Sequence, residues 1–589
     1  MDKLKNNSRK DGNKPLDCLF IGHNEEQCAR HVQYVKKMGT SNEVYRELNL
    51  NFLSYNNTNY YASDLLDLFA RPPSTENHNG KFFNYWGGMS LAIAYLGTYL
   101  KRRGFTFDYI NSFQEHRTQL AQKLAEENIL VIAITTTYYV SYFPILEILQ
   151  FIKKHNHTAR IVVGGPFIAN QVSTSPSPDA LRVLFEMIGA DIYVNSLQGE
   201  STLVNIIAAL KHRTPLQQVN NIYYRSEKGY QATAILVENN PLAENLVNWN
   251  WFADAQPEYI NIRTSISCPF KCAFCGFPQK AGKYQALTVE SIEKELETLK
   301  QIPSVKTVHF IDDTLNFPPA RFKGFLKMLI KNKYPFKWVS FFRCQYADRE
   351  TVELMKESGC LGVFIGYESG NNQMLKNMNK AASKEKYLKG TALLKEYGIL
   401  TYGSFIIGFP GETAETVRST LRFIEESQVD FYSNKLWFMD PHSPILAEKE
   451  KYGIQGYQFQ WTHDTMNSRQ ACEIIEQSLF QIKNSLHVPD YHFSFQSILH
   501  LISKGMSIQT LKSFLTGFNQ GIKDKLSHPT HHNIPPEVVE ALKKYAQEGY
   551  RECNAPLPHT GKDPGRDNLQ HNPLPRVTPG DIVVDFELD

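Results

Sequence analysis

Three cysteines stand close together near the middle of the chain, in the segment Ser-Ile-Ser-Cys-Pro-Phe-Lys-Cys-Ala-Phe-Cys-Gly. They are Cys268, Cys272 and Cys275, with the spacing Cys-x3-Cys-x2-Cys. Three thiolates this close can ligate three irons of a [4Fe–4S] cluster and leave the fourth iron open to a small molecule. A zinc knuckle is the alternative, but zinc usually takes four ligands in two separated pairs. The next candidate ligands are His309 and Cys344, so the spacing favours the iron–sulfur cluster.

Composition narrows the remaining classes of protein. The 589 residues include nine cysteines and carry a formal net charge of +3. The six cysteines outside the triad show no pairing spacing, which is typical of a reducing compartment. The small net charge gives no electrostatic reason to expect nucleic acid or a membrane surface as a partner. The polar start and the lack of a long apolar run predict neither a signal peptide nor a membrane span. We therefore expect a cytoplasmic protein.

Continuous apolar strands alternate with helices over residues 85–211. Ile129–Thr135 and Ala159–Gly165 are two of these strands, and the pattern predicts an α/β, doubly wound (Rossmann-like) parallel sheet. Ligands of such sheets bind at the carboxyl ends of the strands. The turns expected there are Thr135-Thr136-Thr137, Gly164-Gly165-Pro166 and Gln198-Gly199-Glu200. Ordinary tight turns between strand and helix explain the same glycines equally well.

Residues 258–440 repeat the strand–helix pattern about six times, which predicts a partial (β/α)6 barrel. Such a barrel carries its chemistry at the carboxyl ends of the strands, and Cys268 follows the first predicted strand, Tyr259–Ile266. Four further segments complete the expected organisation. They are an N-terminal extension over 1–84, a linker with a hairpin over 212–257, a helical C-terminal domain over 441–546 and a disordered tail over 547–589.

Charged residues follow the second and third predicted barrel strands. Asp312 and Asp313 follow the second strand, where carboxylates suit an ammonium group or ribose hydroxyls, or cap the next helix. Arg343 ends the third strand, where it suits a carboxylate or phosphate ligand, or a structural ion pair. For both strands the two interpretations are equally supported by the sequence.

The fourth and fifth strands add Gly-Tyr-Glu-Ser-Gly and Gly-Phe-Pro-Gly-Glu. Together with the cysteine triad and Phe274 before its third cysteine, this succession resembles the radical S-adenosylmethionine (SAM) superfamily. The resemblance implies that the triad ligates a [4Fe–4S] cluster and that Glu368 and Ser369 reach SAM. It also implies that the turn formed by Gly408, Phe409, Pro410 and Gly411 packs against the adenine. A tight strand-to-helix turn accounts for the same glycines, and both interpretations can hold.

An open α/β domain placed directly before such a barrel resembles the cobalamin-binding domain of the B12-dependent radical SAM enzymes. The resemblance covers roughly residues 85–440 and implies that the 135–137, 164–166 and 198–200 loops cradle methylcobalamin. The sequence Asp-x-His-x-x-Gly, by which many cobalamin domains place a histidine on cobalt, is absent. We therefore expect cobalamin without a histidine ligand from the protein.

The resemblance implies a methyltransferase activity. In that family the reduced cluster cleaves SAM to a 5′-deoxyadenosyl radical, which abstracts hydrogen from an unreactive centre. Methylcobalamin donates the methyl group, a second SAM restores it, and an external donor of the flavodoxin or ferredoxin type supplies electrons. The segments Leu19–Glu25, Tyr45–Asn51 and Asn111–Phe113 are similar to the phosphinothricin-type P-methyltransferases of natural-product biosynthesis. The expected substrate is a small molecule or peptide, methylated on an unactivated carbon or a phosphinate phosphorus.

Three other functions remain open at this stage. The first is a different cobalamin-dependent radical reaction, such as ring formation or oxidative rearrangement. The second is a methylthiotransferase acting on RNA, but that class carries three more cluster cysteines in its N-terminal domain. Only Cys18 and Cys28 precede Cys268 here. The third is a non-catalytic cobalamin sensor, against which the intact triad argues.

Overall fold

The computed structural model describes residues 15–70, 88–175 and 177–555. These residues form two compact units, one made of 15–26 and 88–255 and the other of 27–70 and 256–555. Helices and strands are numbered along the chain. Up to residue 70 they are β1 (Leu16–His23), α1 (Cys28–Lys36), α2 (Glu43–Asn49), β2 (Phe52–Tyr55), β3 (Thr58–Tyr61) and α3 (Ala62–Ala70).

The rest of the first unit contains six helices and six strands. They are α4 (Leu91–Arg102), β4 (Phe107–Ser112), α5 (Arg117–Glu126), β5 (Ile129–Thr135), α6 (Phe143–His155), β6 (Arg160–Gly164), α7 (Pro166–Thr174), α8 (Pro178–Ile188), β7 (Ile192–Val194), α9 (Glu200–His212), β8 (Ile222–Ser226) and β9 (Gly229–Ala232).

These strands form one sheet in the order β4-β1-β5-β6-β7-β8-β9, parallel from β4 to β7 and antiparallel beyond. The predicted doubly wound sheet is confirmed. Its parallel strands follow the order 2-1-3-4-5, in which the connections reverse direction between β1 and β5. Apolar strand residues such as Leu19 and Ile132 are fully buried, and Ile148 of α6 packs in the same core. The continuous apolar runs of the sequence are therefore strands covered on both faces.

The expected boundaries of this unit differ from the observed ones at both ends. β1 lies between β4 and β5, so its apolar run Cys18–Ile21 is part of a central strand and not of an extension over 1–84. The β8–β9 hairpin, expected in a linker over 212–257, adds two strands to the same sheet. The intervening residues 27–70 belong to the other unit. An insertion of this length between β1 and α4 separates elements that pack together, which local patterns cannot reveal.

The second unit continues with the barrel elements. They are β10 (Tyr259–Ile262), β11 (Ser265–Ile266), α10 (Phe277–Ala281), β12 (Gln285–Ala286), α11 (Val289–Leu299), β13 (Thr307–Phe310), α12 (Pro319–Asn332), β14 (Lys337–Phe342), α13 (Arg349–Glu357), β15 (Cys360–Glu368), α14 (Asn372–Asn377), α15 (Lys384–Glu396), β16 (Leu400–Ile407), α16 (Ala414–Ser427) and β17 (Phe431–Leu436).

Six parallel strands in the order β10-β13-β14-β15-β16-β17 form the predicted partial barrel, and a short strand, β21 (Leu486–His487), pairs with β17. The inside of the sheet holds a row of rings from neighbouring strands. Phe341 lies 5.2 Å from Phe364, and Phe364 lies 5.0 Å from Tyr402, between ring centroids. Phe495 contacts the same row, 5.9 Å from Phe364. Phe341 and Phe364 are half-buried, and the chemistry of such barrels lies at the carboxyl ends of the strands.

The C-terminal part of the second unit is mainly helical, as expected. Its elements are β18 (Gln455–Tyr457), β19 (Gln460–His463), β20 (Met466–Asn467), α17 (Ser468–Gln481), α18 (Phe495–Ser503), α19 (Ile508–Ser527) and α20 (Pro536–Asn554). α20 runs past the expected boundary at 546, and α3 packs against both α19 and α20. The rest of the expected tail, from 556 onward, lies outside the described residues. Within the described ranges, no helix has the length and apolar composition needed to cross a bilayer.

Candidate functional site

The three cysteines lie on a loop that follows β11 and ends at α10. Backbone and side-chain hydrogen bonds fix this loop from two sides. The Ala273 amide donates to the Met378 carbonyl at 2.8 Å, and the Ile445 amide donates to the Ala273 carbonyl at 2.9 Å. The Ser443 hydroxyl donates to the Phe274 carbonyl at 2.8 Å. These hydrogen bonds fix the loop that carries the triad, near the carboxyl ends of the barrel strands.

None of the three thiols forms a disulfide. Cys272 is buried, whereas Cys268 and Cys275 are half-buried. Burial raises the pKa of Cys275 to about 11 and also raises that of Cys268, with the charge of Asp313 acting in the same direction. Three free thiols on one short loop are the donor set that a [4Fe–4S] cluster requires, so the residues fit this group.

Asp312 holds the segment that leads into the cysteine loop. One carboxylate oxygen accepts from the Thr264 amide at 2.8 Å and the Ser265 hydroxyl at 2.6 Å, and the other accepts from the Thr264 hydroxyl at 2.9 Å. Arg321 donates to the same hydroxyl at 2.7 Å. Asp312 is buried by these partners, and it caps no helix. Its observed contacts are with the backbone and the hydroxyl groups of the segment before the triad.

Asp313, next in sequence, is exposed. The protein atoms around its carboxyl and the charge of Asp312 raise the pKa of Asp313 to about 6. Its charge contributes to the raised pKa of both Cys268 and Cys275.

Arg343 leads from β14 toward Cys272. One guanidinium nitrogen lies 3.9 Å from the Cys272 sulfur, and another donates to the Lys380 carbonyl. The guanidinium also lies 3.6 Å from the centre of the Phe270 ring. The Asn316 side chain fixes the Arg343 backbone through two hydrogen bonds of 2.9 Å. The structure therefore places this charge against the thiol of Cys272.

Glu368, at the end of β15, forms a buried ion pair with Lys380 at 2.9 Å. Both side chains are almost fully buried. The Lys380 ammonium lies 5.5 Å from the centre of the Phe274 ring. In the sequence, Phe274 stands between the second and third cysteines. Lys380 could not be predicted as a candidate site residue from the sequence. Its segment, Asn-Met-Asn-Lys-Ala-Ala, follows no strand and matches no motif. Its signal is the pair with Glu368, which only the fold reveals.

Four residues around the loop adopt left-handed backbone conformations that are uncommon outside glycine. They are Ser267 (φ +65°), Glu368 (φ +65°), Asn379 (φ +50°) and Ala381 (φ +54°). Ser267 directly precedes the triad, and the other three lie at or beside the Glu368–Lys380 pair. Strained backbone of this kind concentrates at functional sites because the surroundings must hold it in place. The residues with left-handed backbone therefore lie in the same region as the three cysteines and the Glu368–Lys380 ion pair.

Ser369 and the Gly408–Gly411 turn are held by protein partners. Ser369 is fully buried, and its hydroxyl bonds to the Thr420 hydroxyl at 3.0 Å and accepts from the Asn371 amide at 3.1 Å. Gly408 has φ +90°, and a Cβ there would lie 2.3 Å from the Trp461 ring. Both Phe409 and Pro410 are buried. The structural interpretation of this turn is thus supported by close packing.

Glu412, which follows the turn, is fully buried and accepts from the Gly408 amide at 2.6 Å. Burial raises the pKa of Glu412 to about 8. The carboxyl therefore fixes the strand end from within. A contact between the turn and adenine stays a prediction.

In the first unit, the expected turns lie at the carboxyl ends of β5, β6 and β7. The Thr136 amide and hydroxyl both donate to the Gly164 carbonyl, at 3.0 and 2.9 Å. Gly165 has φ +112°, and a Cβ there would lie 2.9 Å from the Thr136 hydroxyl oxygen, so glycine is needed for the two turns to meet. Thr137 and Pro166 are exposed beside them. Gly199 also has a positive φ, +78°, and precedes α9.

Glu200, at the start of α9, is buried and accepts from the Asn240 side chain at 3.2 Å. Its observed contact is therefore within the unit. Exposed apolar side chains stand at the same edge of the sheet, namely Tyr138 and Val140 after β5 and Leu197 after β7. Exposed apolar surface at the ligand-binding edge fits a large, partly apolar group such as a corrin.

His23 ends β1, at the point where the strand connections reverse. Its ring lies 5.9 Å from that of Tyr138 and 6.2 Å from that of Tyr139. The Tyr139 hydroxyl accepts from the Asn24 amide at 2.9 Å and donates to the Gly22 carbonyl at 3.1 Å. His23 could not be predicted as a candidate site residue from the sequence, because the place of β1 in the sheet depends on strands that lie far along the chain.

Two family models match the chain. The radical SAM superfamily matches residues 262–424, and the B12 binding domain matches residues 88–177. The first match begins at the end of β10 and ends in α16, so it contains the triad, Arg343 and Glu368. The second match contains two of the three strand-end turns described above, those after β5 and β6.

Curated relatives are similar over more than half of the chain. An uncharacterized methyltransferase of Pyrococcus horikoshii is 26% identical over 358 residues, 58% of this chain and 74% of that protein. An anaerobic magnesium-protoporphyrin IX monomethyl ester cyclase of Rubrivivax gelatinosus is 26% identical over 396 residues, 62% of this chain and 68% of that protein.

Two solved structures share the fold. The radical SAM methyltransferase TsrM of Kitasatospora setae, bound to tryptophan and a SAM analogue, has a TM-score of 0.50 at 20% identity, covering 61% of this chain and 72% of its own. The cobalamin-dependent SAM radical enzyme OxsB, with aqua-cobalamin and SAM bound, has a TM-score of 0.52 at 16% identity, covering 80% of this chain and 77% of its own.

Proposed function

We propose that this chain, which belongs to the cobalamin-dependent radical SAM enzymes, methylates an unactivated carbon or a phosphinate phosphorus of a natural-product intermediate. Its cofactors are a [4Fe–4S] cluster, SAM and cobalamin. The observation that carries the proposal is the combination of a B12-binding domain and a radical SAM barrel in one chain, with three free thiols on a held loop. When bound, the cluster and SAM supply hydrogen-atom abstraction, and methylcobalamin supplies the methyl group.

The protein's first task is to hold the cluster loop in one geometry. Cys268, Cys272 and Cys275 would ligate three irons, and Asp312 fixes the backbone that leads into them. Arg343 adds a positive charge against the Cys272 sulfur. A cation at this position would stabilise the negative charge of the Cys272 thiolate. The attraction is strong because both groups are shielded from water.

The Glu368–Lys380 pair offers a carboxylate and an ammonium side by side near the triad. SAM carries an α-amino group and an α-carboxylate, so the two charges are complementary to its amino acid end. The ion pair exists before SAM binds. Bound SAM would add a further partner to each of the two buried charges. We assign Glu368 and Lys380 to SAM orientation on this ground.

In the first unit, the turns after β5, β6 and β7 would contact cobalamin. Gly165 lets two of these turns approach closely, and exposed Tyr138, Val140 and Leu197 offer apolar contact. The protein's part at this edge is to orient the cofactor and exclude water from it.

Transfer of a labelled methyl group tests the proposal, and its first step, to cobalamin, requires no knowledge of the substrate. Anaerobically reconstituted protein is given cobalamin, a reductant and SAM whose methyl group carries three deuteriums. We expect labelled methylcobalamin, detected by mass spectrometry, and a labelled product in the presence of the natural substrate. Unlabelled cobalamin under conditions where SAM is cleaved would contradict methyl transfer.

A second candidate function is radical ring formation without methylation. The 26% identity to the Rubrivivax gelatinosus cyclase is the observation that supports this second candidate. Product mass separates the two activities, since methylation adds one methylene unit and ring formation does not. The methylthiotransferase alternative gains nothing from the structure, because Cys18 and Cys28 are buried inside β1 and α1. We further propose an external flavodoxin- or ferredoxin-type electron donor.

A further inference from the structure

The last turns of α19 and the loop after it bring together a carboxylate and two imidazoles that the proposed function does not use. Asp524 lies in α19, and His528 and His531 follow in the segment His-Pro-Thr-His-His. The His528 Nδ1 lies 3.0 Å from one Asp524 carboxylate oxygen, and the His531 Nδ1 lies 3.1 Å from the other. One ligand atom from each residue lies within 4.8 Å of the other two.

We propose that Asp524, His528 and His531 form a binding site for a divalent transition metal ion, of which Zn²⁺ is the natural probe. Two nitrogens and one oxygen are a donor set that zinc accepts. Bonds of about 2.0–2.1 Å in a tetrahedral site put neighbouring donor atoms roughly 3.3 Å apart. The His528 nitrogen lies 3.0 Å from one Asp524 oxygen and the His531 nitrogen lies 3.1 Å from the other, and both distances are close to that value. An ion would therefore engage both carboxylate oxygens or draw the two nitrogens toward one of them.

The two rings lie close enough to share an ion after a side-chain rotation. Their centroids are 4.7 Å apart, and the rings are stacked with an angle of 20° between their planes. Because the lone pair of an imidazole lies in the ring plane, both planes must contain the ion, so one ring would rotate about its side-chain bonds on binding. Both side chains are half exposed, which leaves room for this rotation.

Access and charge favour an ion at this position. Both imidazole side chains are half exposed, so an ion can enter from solvent without any movement of the fold. The carboxylate contributes a negative charge, and each neutral imidazole contributes one lone pair. Three protein ligands leave one tetrahedral position for water, as in other zinc sites with three protein ligands.

An ion here would fasten the loop that joins α19 to α20. This loop contacts the β2–β3 hairpin, since the Ile534 amide donates to the Ser54 carbonyl at 2.9 Å. Asn533 and Asn57 exchange two further hydrogen bonds, of 2.9 and 3.0 Å. The consequence we infer is structural: metal binding would stiffen the loop against the hairpin and leave the barrel chemistry unchanged.

Zinc binding to cluster-loaded protein tests the proposal. The cluster must be in place because the free cysteine triad would also take up Zn²⁺. We expect about one Zn²⁺ per chain by equilibrium dialysis and metal analysis, with only nitrogen and oxygen neighbours in zinc X-ray absorption. Both His531→Ala and Asp524→Asn are expected to weaken binding at least tenfold, while His212→Ala, which removes an exposed histidine elsewhere, keeps it.

A second readout covers the case in which a variant folds poorly. Hydrogen exchange in residues 528–534 of the wild-type protein is expected to slow when Zn²⁺ is added, with iron content unchanged. Equal zinc affinity in the wild type and in His531→Ala would overturn the proposal, as would sulfur neighbours around the ion. Unchanged exchange in this loop at saturating zinc would overturn it as well, and the two histidines would then be ion-pair partners of Asp524 only.

Discussion

Cys272 is the most enclosed of the three cysteines, and it lies against the guanidinium of Arg343. The other two thiols are half-buried, and the charge of Asp313 contributes to the raised pKa of both. The charge of Arg343 reaches Cys268 as well, where it acts to lower the pKa. The cation thus lies beside the sulfur whose thiolate charge has the least access to water.

Replacement of Cys272 by alanine is expected to abolish SAM cleavage and to reduce iron well below four per chain. Two thiolates cannot hold the cluster firmly, and the missing ligand is the buried one. Iron and sulfide analysis and 5′-deoxyadenosine formation measure both effects. The matched control is Cys553→Ala, which removes a half-buried cysteine of α20 and should keep four irons. Tetrahedral zinc without iron in anaerobically purified wild-type protein would contradict the cluster itself.

Glu368→Gln is expected to weaken SAM binding while cluster content stays unchanged. The substitution keeps the shape but removes the charge that pairs with Lys380 at 2.9 Å. A charge-assisted hydrogen bond of this kind is worth about 1.5–3 kcal/mol, or about a ten- to hundredfold loss of SAM affinity.

Titration of SAM binding by calorimetry, together with iron analysis, measures the effect of Glu368→Gln. Glu357→Gln, on an exposed residue at the end of α13, is the control and should bind SAM normally. Normal turnover of Glu368→Gln at limiting SAM would show that Glu368 serves only the structure.

At the level of helices and strands, the barrel could be predicted from sequence with few errors. Its strands are mainly apolar segments flanked by helices with a 3.6-residue period, and Leu400–Ile407 is recovered with its exact bounds. The site was less predictable for a physical reason. Asp312 and Glu368 lie at strand ends as expected, but their partners Thr264 and Lys380 come from other segments. Such pairings depend on tertiary contact and leave no local pattern.

The first unit shows the same limit at larger scale. β1 carries a clear apolar run, yet its neighbours β4 and β5 begin more than 80 residues later. Local patterns describe a strand but not its position in the sheet. The switch point between β1 and β5, and with it His23, therefore emerged only from the fold.

The turn at Gly408–Gly411 gives a stability prediction for an element. Gly408→Ala is expected to lower the melting temperature strongly, because φ +90° disfavours a side chain and its Cβ would lie 2.3 Å from the Trp461 ring. The backbone costs about 1–2 kcal/mol and the overpacking about 1–3 kcal/mol. Gly282→Ala is the matched control, since Gly282 has φ +77° with nothing within 4 Å of its Cβ position.

Calorimetric melting of Gly408→Ala, Gly282→Ala and the wild type measures these costs. Gly282→Ala should show only the backbone strain and a smaller shift. Equal melting temperatures for the two variants would show that the Trp461 contact yields without cost.

The strand ends of the first unit give a prediction about cobalt. We expect cobalamin to bind without a protein nitrogen on the metal, because the sequence has no Asp-x-His-x-x-Gly. His23 is the histidine to examine, because it lies at the end of β1 beside Tyr138, at the edge where cobalamin is proposed to bind. Electron paramagnetic resonance of the Co(II) form should show no nitrogen splitting from the protein, and His23→Ala should leave the cobalt signal unchanged. Nitrogen splitting that disappears in His23→Ala would identify His23 as the ligand and refute the expectation.

At the scale of the whole molecule, the proposed radical methyl transfer would use SAM in two ways. One SAM supplies the methyl group and becomes S-adenosylhomocysteine, and another is cleaved to 5′-deoxyadenosine. We expect turnover with the natural substrate to form the two products in a ratio of about one to one, measured by liquid chromatography and mass spectrometry. The ratio depends on both units, because the triad belongs to one and the strand-end turns belong to the other.

Cobalamin depletion provides the control for this ratio. Protein loaded with the cluster alone should still cleave SAM to 5′-deoxyadenosine, since this step depends on the triad, but should form little S-adenosylhomocysteine. A ring-forming enzyme would instead produce 5′-deoxyadenosine without S-adenosylhomocysteine even when cobalamin is present. That outcome, with full cobalamin occupancy and a product of unchanged methyl count, would replace methyl transfer by radical cyclisation as the activity of the same fold.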